Sequence, residues 1–390
     1  MGRHTATAGN RHQKRKMRNS SIELLRIIAM LLITSHHYLM YNGFDVLVQP
    51  LGVNKVLLET FLYSGGKIGV VVFFAISAWY LSESSDIHSS LKRVWILERE
   101  VLFWSLVCLI FTAVTMRGEL GASLILRSIF PLFTATWWYA TAYCVFVAMF
   151  PCLAMAMRAI GRVYHAYLCV VMFILWTVLE GFVPLFSLGL PGGDFLSFVY
   201  LYILMTYYRW YMKPIAVSGA VKLLVGGYGL LVIDALAGGF VYEYLGKGER
   251  LQIYFSSTEY KLASLMCGFA LFILFMNLKF HSRIINVIAS SAFSVYLITG
   301  YPTLHEKIWS GVLTLDHWYD SPFAFLIVIG IVAGMYVACM ICDQARQLLF
   351  RLTIDRHRGG IYERLWRKAS TSNIAQSFAV EEMERDTHHE

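Results

Sequence analysis

Long apolar segments constrain this chain more than any other feature of its sequence. A window of about 19 residues finds about ten segments long enough to cross a bilayer, each crossing needing about 20 residues. The chain is 57% hydrophobic and only 15% charged, which leaves too little polar surface to enclose a water-soluble core of 390 residues. The sequence therefore predicts an all-α, polytopic integral membrane protein. The segments lie near residues 22–42, 57–81, 94–116, 136–157, 166–187, 195–211, 219–242, 259–277, 284–303 and 323–348.

The distribution of lysine and arginine predicts the orientation of these segments, because cytoplasmic loops keep an excess of both. With the N-terminus inside, ten crossings place 23 of the 33 lysines and arginines in inner segments and seven in outer loops. We therefore predict that both termini are cytoplasmic. The net charge of +8 is spread over many short loops, which favours contact with anionic lipid heads over binding of nucleic acid.

The chain shows no repeat of fixed period and no linker rich in proline or glycine. We therefore predict one membrane domain at residues 21–348, after a basic cytoplasmic segment at 1–20. Residues 349–390 are predicted to be a cytoplasmic tail that is basic and then acidic and disordered. The seven cysteines fall in or next to apolar segments, so we interpret them as packing residues and expect no disulfide and no metal site.

The first apolar segment carries ionisable side chains that are costly in lipid. Arg26 and His37 are 11 residues apart, which in a helix brings them within about 20° of each other and separates them by roughly 16 Å. Glu23 falls on the same side. Such groups normally face a protein interior or a wet cavity. A simpler reading stays open, in which Arg26 pairs with Glu23 at the cytoplasmic surface and the tips of His36 and His37 lie at the outer interface.

Other segments add polar residues of the same kind. Lys67 lies inside the second apolar segment, and Ser77 follows three turns later. Each residue has a simpler explanation, because interface aromatics and helix-packing hydroxyls are common in membrane proteins. The remaining candidates are Arg93 and Arg99 before the third segment, Trp138, Tyr139 and Tyr143 in the fourth, and Ser291 and Tyr296 in the ninth.

Together these segments resemble a known family. The start NSSIELLRIIAMLLITSHHY resembles the first span of the acyltransferase-3 family of integral membrane acyltransferases, whose mark is an arginine, ten residues and then a histidine, as at Arg26 and His37. The second, fourth, sixth and penultimate spans of that family are similar to KIGVVVFFAISAWYL, WWYATAYCVFVAMFPCL, FVYLYILMTYYRWY and SSAFSVYLITGYP. The resemblance covers about residues 18–345.

The chain departs from the family pattern at three places. Ala78 replaces the usual glycine after the serine of the second span, and Thr299 stands where many relatives have a histidine. The paired arginines before the third span, usually three residues apart, are Arg93 and Arg99, which are six apart.

The resemblance implies transfer of an acyl group, usually acetyl, from cytoplasmic acyl-CoA to a hydroxyl of a surface glycan or its lipid-linked precursor. It implies the plasma membrane of a bacterium as the location, acetyl-CoA or another acyl-CoA as a substrate, and no permanently bound cofactor. His37 would be a general base or a transient acyl carrier, and Glu23 would position Arg26. The residues implied for donor binding are Arg26, Lys67, Arg93 and Arg99. The residues implied for the acceptor side or a channel are His36, Ser77, Trp138, Tyr139, Tyr143, Ser291 and Tyr296.

Two other functions fit a bundle of apolar helices with interior charges. A transporter or flippase for a glycan precursor is one, although we find no inverted repeat and no pair of Gly/Pro-broken helices in corresponding halves. A polysaccharide polymerase is the other, and we would expect it to carry a larger outer loop rich in arginine. The sequence does not identify the acceptor sugar, the acylated position or the acyl group.

Overall fold

In the computed structural model, every regular element of the described residues is helical. These residues are 19–83, 86–183, 195–310, 313–357 and 360–371. Short helices at Ala122–Ile129, Glu249–Ser256 and Leu304–Trp309 connect longer ones. The main helices are α1 (Ser20–Tyr41), α2 (Val53–Leu81), α3 (Ile87–Thr115), α4 (Trp138–Ala159), α5 (Gly161–Phe182), α6 (Phe195–Tyr211), α7 (Val217–Leu245), α8 (Leu262–Asn277), α9 (Arg283–Thr299), α10 (Ala324–Leu352) and α11 (Gly360–Ser370).

Each of the ten predicted apolar segments coincides with one of the helices α1 to α10. Six helices of the described chain are long and apolar enough to cross a membrane: α1, α2, α4, α5, α7 and α10. The helices α8 and α9 are apolar but shorter. The all-α, multi-pass architecture is therefore confirmed, whereas the count of ten crossings and the cytoplasmic termini stay predictions. Residues 1–18 of the predicted basic segment, and residues 358–359 and 372–390 of the predicted tail, lie outside the described residues, and the division into domains stays a prediction.

Helix α1 lies at the centre of the bundle, in contact with α2, α8, α9 and α10. Its N-terminus is capped by Asn19, whose side chain accepts a hydrogen bond from the backbone N–H of Ser21. Glycines in α2 allow the two helices to approach closely. A Cβ atom on Gly69 would lie 2.6 Å from the carbonyl oxygen of Ala29. Small residues at such contacts are typical of membrane helices, because they let backbones meet.

A buried polar network joins α3, α9 and α10. The Ser294 hydroxyl lies 2.6 Å from Glu100 Oε1 and 2.5 Å from Asp343 Oδ1. Arg346 ion-pairs with both carboxylates, at 2.6 Å to Asp343 and 3.2 Å to Glu100. Trp104 Nε1 donates to the same serine hydroxyl at 2.9 Å. Each buried polar group thus has partners on a neighbouring helix, which fixes the three helices relative to one another.

The short helix α11 packs against the start of α3. Lys92 Nζ lies 2.7 Å from Glu363 Oε1, and the Tyr362 hydroxyl donates to the backbone oxygen of His88 at 2.9 Å. The hydrogen bond from Lys92 lowers the pKa of the Glu363 carboxyl. The basic part of the predicted tail therefore includes a helix held to the bundle.

Candidate active site

A partly open cavity of about 60 Å³ lies between α1, α2, α4 and α9. Its walls are mostly apolar, formed by residues such as Val70, Phe73 and Phe293. A few polar and aromatic side chains converge on it, which is the usual composition of a small-molecule site. They are His36, His37, Lys67, Trp138, Tyr139 and Tyr296. All six were predicted from the sequence as site residues.

His36 is held in place by α2. A Cβ atom on Gly66 would lie 2.4 Å from Cγ of the imidazole, so only glycine leaves room for the ring. His36 Nδ1 lies 2.6 Å from the carbonyl oxygen of Tyr63, the last residue of the π-helical turn Leu58–Tyr63. Because a carbonyl oxygen only accepts hydrogen bonds, Nδ1 carries the hydrogen and Nε2 is the basic nitrogen of the neutral ring. Turns of π-helix are frequent at functional sites.

His37 stands among aromatic rings. Its ring centroid is 6.0 Å from that of His36, 6.0 Å from that of Tyr296 and 6.1 Å from that of Tyr41. Its Nδ1 atom is buried and has no hydrogen-bond partner in the described part of the chain. A buried imidazole nitrogen without a partner is costly in a purely structural role. This nitrogen is therefore available to a substrate.

Lys67 lies at the level of the histidines, far from Arg26. Its ammonium is 3.2 Å from Glu259 Oε2 and 5.3 Å from the centroid of the Trp138 ring. Glu259 is fully buried just before α8, and the sequence reasoning did not identify it. The two charged residues are 192 positions apart, so no local pattern indicates this pair.

Arg26 and Glu23 form the predicted pair near the start of α1. Arg26 Nη1 lies 3.2 Å from each carboxylate oxygen of Glu23. The carboxylate is buried, whereas 28% of the arginine side chain is exposed. Arg26 and Arg93 both act electrostatically on Tyr143 of α4. The Ser77 hydroxyl of α2 donates a hydrogen bond to the Phe73 carbonyl of its own helix at 3.2 Å.

Two tyrosines connect this arginine-rich end to the cavity. Tyr139 and Tyr143 stack with their ring centroids 6.0 Å apart and their planes 9° apart. The Tyr139 hydroxyl is buried and has no hydrogen-bond partner among the described residues. The rings of Tyr143, Tyr139, Tyr296 and His37 thus follow one another at centroid distances of 6.0, 6.2 and 6.0 Å, and they lead from the arginine-rich end to the cavity.

Some predicted site residues lie elsewhere. Arg99 ion-pairs with Asp355 at 3.0 Å, and Arg93 is exposed. Ser291 accepts a hydrogen bond from Gln344 of α10 at 2.9 Å, so it joins two helices and is not among the residues that line the cavity. Thr299 Oγ1 donates to the Val295 carbonyl of its own helix at 2.8 Å.

One histidine near the cavity was missed by the sequence reasoning. The ring of His305 packs against the ring of Tyr41 with centroids 4.4 Å apart, and it acts electrostatically on His37. His305 lies six positions after Thr299, in the short helix that follows α9. The replacement of the usual histidine by Thr299 is the sequence signal that indicates another histidine nearby.

The fold and the cavity define a multi-pass membrane protein with histidine, lysine and aromatic side chains at a site inside its helical bundle. A family model described as an acyltransferase domain, Acyl_transf_3, matches residues 19–343. The chain therefore belongs to the acyltransferase-3 family and is a membrane acyltransferase. None of the curated proteins and none of the solved structures compared with it matches the chain.

Proposed function

We propose that this acyltransferase moves an acetyl or similar acyl group from cytoplasmic acyl-CoA to a hydroxyl of a cell-surface glycan or its lipid-linked precursor. One observation carries the proposal: His37, with a buried nitrogen that has no partner among the described residues, lines a cavity that a row of aromatic rings extends towards the arginine-rich end. A transferase that uses a donor on one side of a membrane and an acceptor on the other needs such a connection.

His37 is the proposed catalytic group. As a general base it takes the proton of the acceptor hydroxyl while the oxygen attacks the thioester carbonyl. The new C–O bond forms, the C–S bond breaks, and the proton passes to the departing thiolate. Alternatively, His37 attacks the thioester, the C–S bond breaks and the thiolate leaves, which gives an acyl-imidazole. The acceptor oxygen then attacks the acyl carbon, the C–N bond breaks, and the imidazole nitrogen takes the hydroxyl proton. His36, whose tautomer is fixed by Tyr63, is the second imidazole of the site.

The arginines supply the proposed binding site for the donor phosphates. Arg26 is oriented by Glu23, and Arg93 acts electrostatically on Tyr143 as Arg26 does. A guanidinium can bind phosphate through two parallel hydrogen bonds. Arg99 is committed to Asp355, so its part in donor binding would require that ion pair to open. The pantetheine arm of the donor would then follow Ser77, Tyr143 and Tyr139 towards the cavity.

We further propose ten crossings in the plasma membrane of a bacterium, with both termini cytoplasmic. A membrane-impermeant maleimide applied to intact cells should then label Gly118→Cys, in the exposed loop after α3. It should label Ser370→Cys, at the end of α11, only after the cells are lysed. The labelling of the unsubstituted protein is subtracted, because Cys152 and Cys342 are exposed thiols of its own. Equal labelling of both positions in intact cells would refute this topology.

Donor dependence tests the acyltransfer itself. Membrane vesicles from cells that make the native glycan and express this chain would receive acetyl-CoA labelled in the acetyl group. We expect alkali-labile label in glycan or glycolipid, and more of it in inverted vesicles than in sealed right-side-out ones, because the donor site faces the cytoplasm. Vesicles without the chain are the control. Passage of a glycan precursor across the membrane without any transfer of labelled acetyl would instead support the transporter or flippase function.

A further inference from the structure

We infer that Lys67, positioned by Glu259, stabilises the oxyanion that forms on the acyl carbonyl during transfer. The inference rests on the proposed function and assigns to Lys67 a role at the reacting atoms. Arg26 provides the contrast, because it would bind the phosphates of the acyl-CoA, whereas Lys67 would act on the acyl carbonyl of the same molecule.

The depth of Lys67 separates it from a phosphate site. It lies 14 residues from the end of the helix Val53–Leu81, or about 21 Å at helical rise. Gly66, its neighbour, packs directly against His36. Phosphates held at the cytoplasmic surface would be too far away to reach this ammonium, whereas the acyl end of an extended donor would enter the same cavity.

The contacts of Lys67 hold its ammonium at the cavity wall. Glu259 accepts one hydrogen bond at 3.2 Å, and the face of Trp138 lies on another side at 5.3 Å. An ammonium has three N–H donors, so donors remain for a ligand in the cavity. With 20% of its side chain exposed, Lys67 is open to that space, whereas Glu259 is fully covered.

The step places negative charge where a cation at this position would stabilise it. When the acceptor oxygen attacks the thioester, the carbonyl π electrons move onto its oxygen, which becomes negatively charged. Lys67 keeps its protons and pairs with this charge, and His37 takes the acceptor proton. The intermediate collapses, the C–S bond breaks, and the thiolate leaves with the proton from His37. A preorganised donor in a cavity with mostly apolar walls favours this charge far more than water does.

A comparison of Lys67 with Arg26 distinguishes the two roles. The full-length protein would be reconstituted in liposomes with lipid extract of the native host, and thiol release would be followed as a function of acetyl-CoA concentration. Lys67→Met should lower kcat by about 10²–10³-fold, the usual loss for an oxyanion donor, with a donor KM close to that of the wild type. Arg26→Gln should do the reverse and mainly raise the donor KM. Lys67→Arg should recover part of the lost kcat, because it keeps the charge.

A second buried lysine provides the matched control. Lys55 of the same helix lies 3.9 Å from Glu59, and both side chains are fully buried outside the cavity. Lys55→Met should lower the amount of folded protein, which size-exclusion chromatography measures. The kcat per folded molecule, taken from thiol release, should stay that of the wild type. Glu259→Gln keeps the ammonium but loosens its position, so its kcat should fall less than that of Lys67→Met.

The inference is overturned if Lys67→Met has the kcat of the wild type per folded molecule, or if it changes only the donor KM. It is also overturned if Lys67→Met behaves like Lys55→Met and loses activity only in proportion to the loss of folded protein. Wild-type protein that releases no thiol from acetyl-CoA would instead contradict the proposed function and remove the basis of this inference.

Discussion

His37→Ala is expected to lower the rate of acetyl transfer by about 10²–10⁴-fold, the contribution typical of a general base. The reason is the environment of this imidazole, which lies in the cavity with a buried nitrogen that has no partner in the described chain. Transfer of the labelled acetyl group in inverted vesicles measures the effect. The donor KM should change little, because the proposed phosphate site at Arg26 is roughly 16 Å away along the helix.

Two other histidines serve as comparisons for His37. His36→Ala removes the neighbouring ring but leaves the proposed base, so its loss of rate should be smaller. His317→Ala changes an exposed residue in the loop before α10 and should leave transfer unchanged. If His36→Ala abolishes transfer while His37→Ala retains it, the catalytic assignment passes to His36, whose basic Nε2 the Tyr63 carbonyl defines.

Gly66→Ala is expected to reduce transfer by about 100-fold, although it adds only one methyl group. The new Cβ would lie 2.4 Å from Cγ of His36, so α1 and α2 must separate or the imidazole must move. A displacement of about 1 Å at a catalytic site can cost this much in rate. The amount of folded protein should be measured in parallel, because the two central helices would pack less closely.

Gly334→Ala is the matched substitution for Gly66→Ala. It makes the same change within a membrane helix, but nothing lies within 4 Å of the added Cβ. Transfer and folded yield should therefore equal those of the wild type. Full activity of Gly66→Ala would show that the close approach of α2 to His36 has no functional importance.

The helices were predictable because each apolar segment contains its own signal. Hydropathy alone located all ten segments that became α1 to α10. Hydropathy missed α11, since Gly360–Ser370 is polar overall and is held by specific contacts such as that of Lys92 with Glu363. The break within α9, between Ala289 and Ala292, was likewise not predicted, although Ser290 and Ser291 interrupt the apolar run at that point.

The candidate site was predictable only in part. Helical spacing and the family resemblance led to the six polar and aromatic residues that line the cavity, and the Glu23–Arg26 pair follows from a separation of three residues. Glu259 could not be found in this way, because its contact with Lys67 depends on how α8 packs against α2. The ion pair of Arg99 with Asp355 was equally hidden. Gly66 offered a usable signal, since small residues in a membrane helix indicate close packing.

The central position of α1 has a consequence for how the protein is made. The ribosome synthesises α1 first, but one wall of its cavity is Tyr296, and α10 comes later still. The nascent α1 is therefore made before its final neighbours exist. Its Glu23–Arg26 pair joins two opposite charges, which lowers the free-energy cost of holding α1 in lipid until the later helices have been synthesised. Release from the insertion machinery can complete the site only after α9 has been synthesised.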